Sequence, residues 1–161
     1  MTERIPYDEL SFFHENAEEF GLPYDGPPVV HRTGVTLDDG RALSALVWGD
    51  EPAELVLLHG GAQNAHTWDT VAMAIGRPLV AIDLPGHGHS DGGRQGSAGL
   101  EANADDIATV VATLAPGAAA WWACRSAGSR RSPWPTATPT SSGAWSWSTS
   151  RPVSTTRRPR R

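Results

Sequence analysis

A break in composition near residue 118 constrains this chain more than any other feature. Residues 118–161 contain no Leu, Ile, Phe, Met or Tyr, and no Asp, Glu, Asn, Gln, His or Lys. A Ser/Thr/Pro/Arg-rich segment of this kind has too little aliphatic surface to offset the entropy of ordering, so it is expected to be a disordered tail. All eighteen acidic residues lie at or before Asp106, and eight of the thirteen basic residues lie at or after Arg125. Such asymmetry can mark a basic arm for nucleic acid or membrane. Translation in the wrong frame gives the same pattern and is the preferred explanation. Every basic residue is Arg and none is Lys, which points to GC-rich coding DNA.

Before the break the pattern is that of a folded α/β domain. Residues 1–28 are a polar N-terminal extension, with a short helix expected around Tyr7 to Phe20. Val29 to Leu37 and Arg41 to Trp48 read as two strands flanking Asp38-Asp39-Gly40, and an Asp-Gly step is a hairpin signal. Leu55 to Leu58 and Leu79 to Ile82 are short, continuously apolar runs, as expected for strands buried on both faces of a parallel sheet. Between them, Thr67 to Ile75 places Trp68, Val71, Ala72 and Ile75 on one helical face. Leu100 to Leu114 repeats that spacing with Ile107, Val110, Val111 and Leu114, and Pro116-Gly117 ends it. Hairpin, then strand–helix–strand–helix, predicts an α/β sheet built by crossovers.

Two motifs sit where strands end. His59-Gly60-Gly61 follows the first buried run, and Asp83-Leu84-Pro85-Gly86-His87-Gly88-His89-Ser90 follows the second. Either alone could be an ordinary glycine loop. Together, with strand–helix–strand between them, they resemble the first half of an α/β-hydrolase domain over Val29 to Pro116. The resemblance implies an incomplete α/β-hydrolase sheet of the first four strands with intervening helices, in a partial domain at 29–117. It assigns His59, Gly60 and Gly61 to the oxyanion loop, where a glycine lets backbone N–H groups approach a developing negative charge. Asp83, Gly86, Gly88 and Ser90 take a structural role in the second loop. His66, His87 and His89 fit no common zinc spacing and are expected to be solvated loop histidines; no metal or organic cofactor is implied.

The resemblance stops where the nucleophile should appear. Trp121-Trp122-Ala123-Cys124-Arg125-Ser126-Ala127-Gly128 only half resembles the G-x-S-x-G elbow. Ser126 is a weak candidate, because Cys124 stands where the turn needs glycine. Reading the coding DNA one base earlier changes the picture. Trp has the single codon TGG, so Trp121-Trp122 forces a Val codon and Trp122-Ala123 forces Gly. The next positions permit Met, then Ser or Pro, then Leu, Gly and Gly. The shifted frame can therefore read V-V-G-M-S-L-G-G, an elbow of this family. Trp145 to Thr149 likewise permits L-V-L-V-D, a following strand. The opposite frame turns every Trp into Gly and yields no strand. A one-base frame change near codons 117–121 is the expectation, leaving 118–161 as an out-of-frame tail. Ser rather than Asp at the nucleophile codon implies a serine hydrolase of the esterase type, not a haloalkane dehalogenase or epoxide hydrolase.

The family order is Ser, then acid, then His, yet no acid or His follows Asp106. The chain is thus expected to be a truncated, inactive form of an enzyme for small-molecule esters. If the strand after the break is lost, Leu55 to Leu58 becomes an exposed apolar edge. The alternative is a non-catalytic module whose Arg/Trp tail binds single-stranded nucleic acid or membrane. With the preferred reading, neither nucleic acid nor membrane is a partner. The acidic opening residues have no apolar h-region, and a cytoplasmic location is expected.

Overall fold

In a computed structural model of the protein, residues 8–93, 100–123, 136–139 and 145–148 are described. The chain divides into two compact units, residues 1–128 and 129–161. The first is built on a five-stranded sheet. Its strands are β1 (Val30–Thr36), β2 (Ala42–Trp48), β3 (Leu55–Leu58), β4 (Leu79–Ile82) and β5 (Ala120–Ala123). Their spatial order is β1-β2-β4-β3-β5. β1, β2 and β4 pair antiparallel in turn, whereas β3 lies parallel to both β4 and β5.

The expected hairpin forms, with Gly40 at φ 84° in the turn between β1 and β2. The Gly40 N–H donates to the Leu37 carbonyl at 2.9 Å, and Leu37 N–H to Arg41 at 2.7 Å. Glycine is suited here because an L side chain resists positive φ. The helix expected around Tyr7 to Phe20 is α1, Phe13–Phe20. It stops where Gly21 turns left-handed at φ 64° and the Leu22 N–H closes on the Ala17 carbonyl at 2.9 Å, a Schellman-type ending. The helix expected from Thr67 is split. Ala65–Trp68 is a 3₁₀ turn capped by the Asn64 side chain, and α2 runs Asp69–Ile75. α3 spans Leu100–Leu114 as expected.

Alternation along the strands divides the core. Leu57, Leu79 and Ala81 face one side, where they meet Leu46, Trp48, Trp68, Ala72 and Phe13. Phe13 brings α1 into this core, with its ring edge-on to Trp48 at 5.1 Å. Val56, Leu58, Val80 and Ile82 face the opposite side and are also buried. This two-sided burial is the physical basis of the continuous apolar runs. On α3, Ala104, Ile107, Val110 and Val111 form the buried stripe. Asp106 on that helix pairs with Arg41 at 2.8 Å.

Two expectations are corrected. Leu55 to Leu58 is not an exposed edge, because β5 lies beside it in register, Leu55 opposite Ala120 and Leu58 opposite Ala123. Trp121 and Trp122 supply that fifth strand in spite of the altered composition, since aromatic residues suit a pleated backbone. The predicted apolar face of α2 is only half covered. Trp68 and Ala72 are buried, but Val71 and Ile75 each remain 39% exposed. They line an apolar groove of about 340 Å³ together with Leu55, Leu57, Trp68 and Trp122.

In the second unit, β6 (Thr136–Pro139) pairs antiparallel with β7 (Trp145–Ser148). Among the described residues, no helix is long and apolar enough to cross a membrane. Leu79→Ala, in the fully buried centre of the sheet, is expected to lower unfolding free energy by about 2–5 kcal/mol. Val71→Ala, at the open groove, should cost less than about 1 kcal/mol. Urea denaturation followed by circular dichroism checks both.

Candidate functional site

The two glycine loops leave adjacent strands β3 and β4, and His59 joins them. Its ring is fully buried. Nδ1 lies 2.7 Å from the Gly60 carbonyl, and Nε2 lies 2.9 Å from the Leu84 N–H. A carbonyl can only accept and an N–H can only donate. His59 is therefore the neutral tautomer, with Nδ1–H donating to Gly60 and Nε2 accepting from Leu84. Burial, with the Gly60 carbonyl opposing, pushes its pKa below the ordinary 6.5. A ring engaged at both nitrogens has no lone pair left to act as a base, so His59 holds the loops together.

The rest of the first loop is fixed from its own side and from across. The Gly60 N–H donates to Gln63 Oε1 at 2.8 Å. Ala62 has φ 60°, rare for a residue with a Cβ. Its N–H points at His87 Nε2 at 3.4 Å, and the His87 ring stands 5.2 Å from that of His59. Gly61 is exposed between them.

Asp83 organises the second loop. Its side chain is fully buried. Oδ1 accepts the Ala65 N–H at 2.7 Å, while Oδ2 accepts the His89 N–H at 3.1 Å and Arg32 Nη1 at 2.7 Å. The Asp83 carbonyl accepts the Ser90 hydroxyl at 2.6 Å, and Ser90 Oγ in turn accepts the Ser44 N–H at 2.8 Å. The loop thus curls back on the carboxylate that starts it. Gly88, at φ 53°, lies against that carboxylate, and a Cβ there would stand 2.3 Å from its atoms. Gly86, at φ 77° with its N–H on the Asp91 carbonyl at 2.8 Å, has open space around its Cβ position.

Sequence reasoning missed the charged residues around Asp83. Arg32 on β1 bridges Asp83, Ser44 and Glu9. Nothing in the local pattern marked Arg32 or Glu9. The one available signal was the i,i+3 spacing of His66 and Asp69, which allows a pair across a helical turn. His66 is not a solvated loop histidine. Its Nδ1 lies 2.7 Å from Asp69 Oδ2, and its Nε2 lies 3.2 Å from Glu9 Oε2. Asp69, by hydrogen bonding, raises the His66 pKa against the effect of burial. His89 is mostly exposed, and His87 contacts backbone. No group of three His, Cys, Asp or Glu able to hold a metal occurs among the described residues. Ser126 and Cys124 lie outside the described residues. β5 ends at Ala123, level with Leu58 and so with the start of the His59-Gly60-Gly61 loop. The contrast between the glycines is measurable. Gly86→Ala should cost about 1–2 kcal/mol for the left-handed backbone alone, and Gly88→Ala more, because the buried Asp83 carboxylate must also move; urea unfolding of the two variants distinguishes them.

No protein-family model matches the chain. Over 112 residues, 69% of its length, it is 46% identical to esterase Rv0045c of Mycobacterium tuberculosis, matching 35% of that protein. It is 38% identical over 84 residues to the pimeloyl-(acyl-carrier protein) methyl ester esterase of Pectobacterium atrosepticum, covering 49% of this chain and 31% of that one. The chain spans about a third of the length of these curated relatives. A refined structure of the same mycobacterial esterase superposes with a TM-score of 0.66 at 41% identity, over 75% of this chain and 40% of that one. An alpha/beta hydrolase from Novosphingobium aromaticivorans shares the fold at 17% identity, with a TM-score of 0.50 over 61% of this chain and 35% of that one. With the strand order, the two strand-end loops and esterase homologues in agreement, the chain belongs to the α/β-hydrolase fold family as a partial member.

Proposed function

We propose that this chain derives from a serine esterase acting on small-molecule esters, and that in its present reading frame it does not turn over substrate. The observation that carries the proposal is where β5 ends. Ala123 lies level with Leu58, so β5 ends beside the start of the His59-Gly60-Gly61 loop. In the frame one base earlier, the codon that permits serine spans Cys124 and Arg125. That serine follows directly on β5, as a nucleophile elbow requires. In the present frame, the same stretch reads Cys124-Arg125-Ser126.

In the parent enzyme the serine Oγ attacks the ester carbonyl carbon as a histidine takes its proton. The carbonyl π electrons move to oxygen, giving a tetrahedral oxyanion. Two backbone N–H groups stabilise it, one after the nucleophile and one from the loop that contains Gly61. The oxyanion collapses with loss of the alcohol, protonated by the histidine. Water then releases the acid by the same steps. This chain's own contribution is the first loop, whose shape is held by His59, Gln63 and His87. The acid and the histidine of the family order have no counterpart after Asp106. The half-open groove beside α2 also supports the loss of in-frame sequence, since a complete domain covers its apolar helix faces.

Sequencing the gene across codons 110–130 and assaying both frames tests the proposal. The protein made from the restored frame is expected to hydrolyse p-nitrophenyl esters of short acids, with loss of about 10³-fold or more when its elbow serine becomes Ala. The present chain should give only the uncatalysed rate. Hydrolysis by the present chain above that rate, or activity of the restored-frame protein that survives the change of its elbow serine to Ala, would overturn the proposal.

A further inference from the structure

Besides the apolar packing of Leu10 and Phe13, the N-terminal segment meets the strand ends through the Glu9 carboxylate. Glu9 precedes α1, and three side chains from three different elements converge on it. Arg32 of β1 grips both oxygens, Nε at 2.5 Å from Oε1 and Nη2 at 2.9 Å from Oε2. His66 of the 3₁₀ turn places Nε2 3.2 Å from Oε2. His89, in the loop after β4, places Nε2 3.3 Å from the same oxygen. Behind this shell stand Asp69 of α2 on His66 and Asp83 at the end of β4 on Arg32, with the Ser44 hydroxyl of β2 also on Arg32. Asp8, the neighbouring acid, is engaged with the Leu10 N–H.

The geometry gives His66 two distinct roles. Its Nε2 is 3.2 Å from Glu9 Oε2 and also 3.3 Å from Arg32 Nη2. Nδ1–H donates to Asp69 in either state. When the ring is neutral, Nε2 carries a lone pair and can only accept, so it turns to the Arg32 N–H and repels the carboxylate. When the ring is protonated, Nε2–H can only donate, and Glu9 is the acceptor within reach. One proton therefore converts His66 from a competitor for Arg32 into a third donor to Glu9.

We propose that Glu9 is a latch fastening the segment before α1 to the strand-end charge cluster, and that protonation of His66 sets how tightly it closes. The latch does not depend on the esterase reading above. It couples the N-terminal segment to the loop after β4, because Arg32 is shared between Glu9 and Asp83.

The charge balance fixes the pH window. The Arg32 hydrogen bond, against burial and with help from His66, holds the Glu9 pKa down to about 2. Glu9 thus contributes fully above its ordinary 4.5 and is lost as pH falls toward about 2. Asp69, against burial and with help from Glu9, lifts His66 above its ordinary 6.5. Its contribution is complete below 6.5 and disappears as pH rises through the higher folded value. The latch is tightest between 4.5 and 6.5.

Amide hydrogen exchange of the full chain, resolved by NMR and corrected for the intrinsic rate, tests this over Leu10 to Asn16. Protection is expected to be about tenfold greater near about pH 5.5 than near about pH 8.5. His66→Gln should remove the pH step and leave the high-pH level. Glu9→Gln should raise exchange at both pH values and move the His66 imidazole titration down, a readout that loss of packing alone does not produce. A pH-independent protection in the unaltered chain, no protection at either pH, a step that persists in His66→Gln, or a His66 titration unmoved by Glu9→Gln would each overturn the latch.

Discussion

A buried carboxylate is a liability until each oxygen has a donor and its charge a partner, and the strand-end region of this protein is arranged around that requirement at Asp83. Leaving such a group without its cationic partner costs about 3–5 kcal/mol. Arg32 supplies the charge, and the Ala65 and His89 N–H groups supply the remaining donors. Each donor comes from a different part of the chain. The carboxylate consequently fixes the start of the 3₁₀ turn, the return of the second loop and the side chain of β1 at one point. Gly88 follows from the same constraint, because the loop must pass so close to the carboxylate that no Cβ fits.

His59 extends that point of order to the first loop. Its two nitrogens tie the Gly60 carbonyl to the Leu84 N–H, across the adjacent parallel strands β3 and β4. Burial keeps the ring neutral, and neutrality is what allows one nitrogen to donate while the other accepts. A protonated ring would leave the Leu84 N–H facing another N–H. The oxyanion loop assigned by resemblance thus depends on a histidine that serves as a fixed bridge and has no free nitrogen for proton transfer.

What could be foreseen from sequence divides along physical lines. Strand and helix positions were legible from the Asp-Gly turn of the hairpin, the continuous apolarity of β3 and β4, and the helical spacing of apolar residues in α2 and α3. The glycines of the two loops were legible because positive φ and close approach restrict residue choice. Arg32, Glu9 and the bridging role of Ser44 were not legible. Their partners lie twenty or more residues away or on a neighbouring strand, and an exposed-looking Arg in a strand carries no mark of what it reaches. The half-open face of α2 was missed for a related reason. Periodicity says which side of a helix is apolar, not how much of the chain is present to cover it.

β5 is where composition and geometry part company. The altered residue content argues against structure after Gly117, yet Ala120 to Ala123 pairs with β3 along its whole length. A backbone ladder asks only for extended residues with N–H and C=O groups free to pair, and Ala and Trp meet that condition as Val does. The side chains fare differently. Trp122 stands 68% exposed at the groove beside α2, while the β3 side chains against which β5 lies are largely buried. The frame change proposed for this chain would preserve a strand while altering its outer surface. Main-chain pairing is indifferent to side-chain identity, whereas an elbow requires one particular hydroxyl between residues small enough to let it turn.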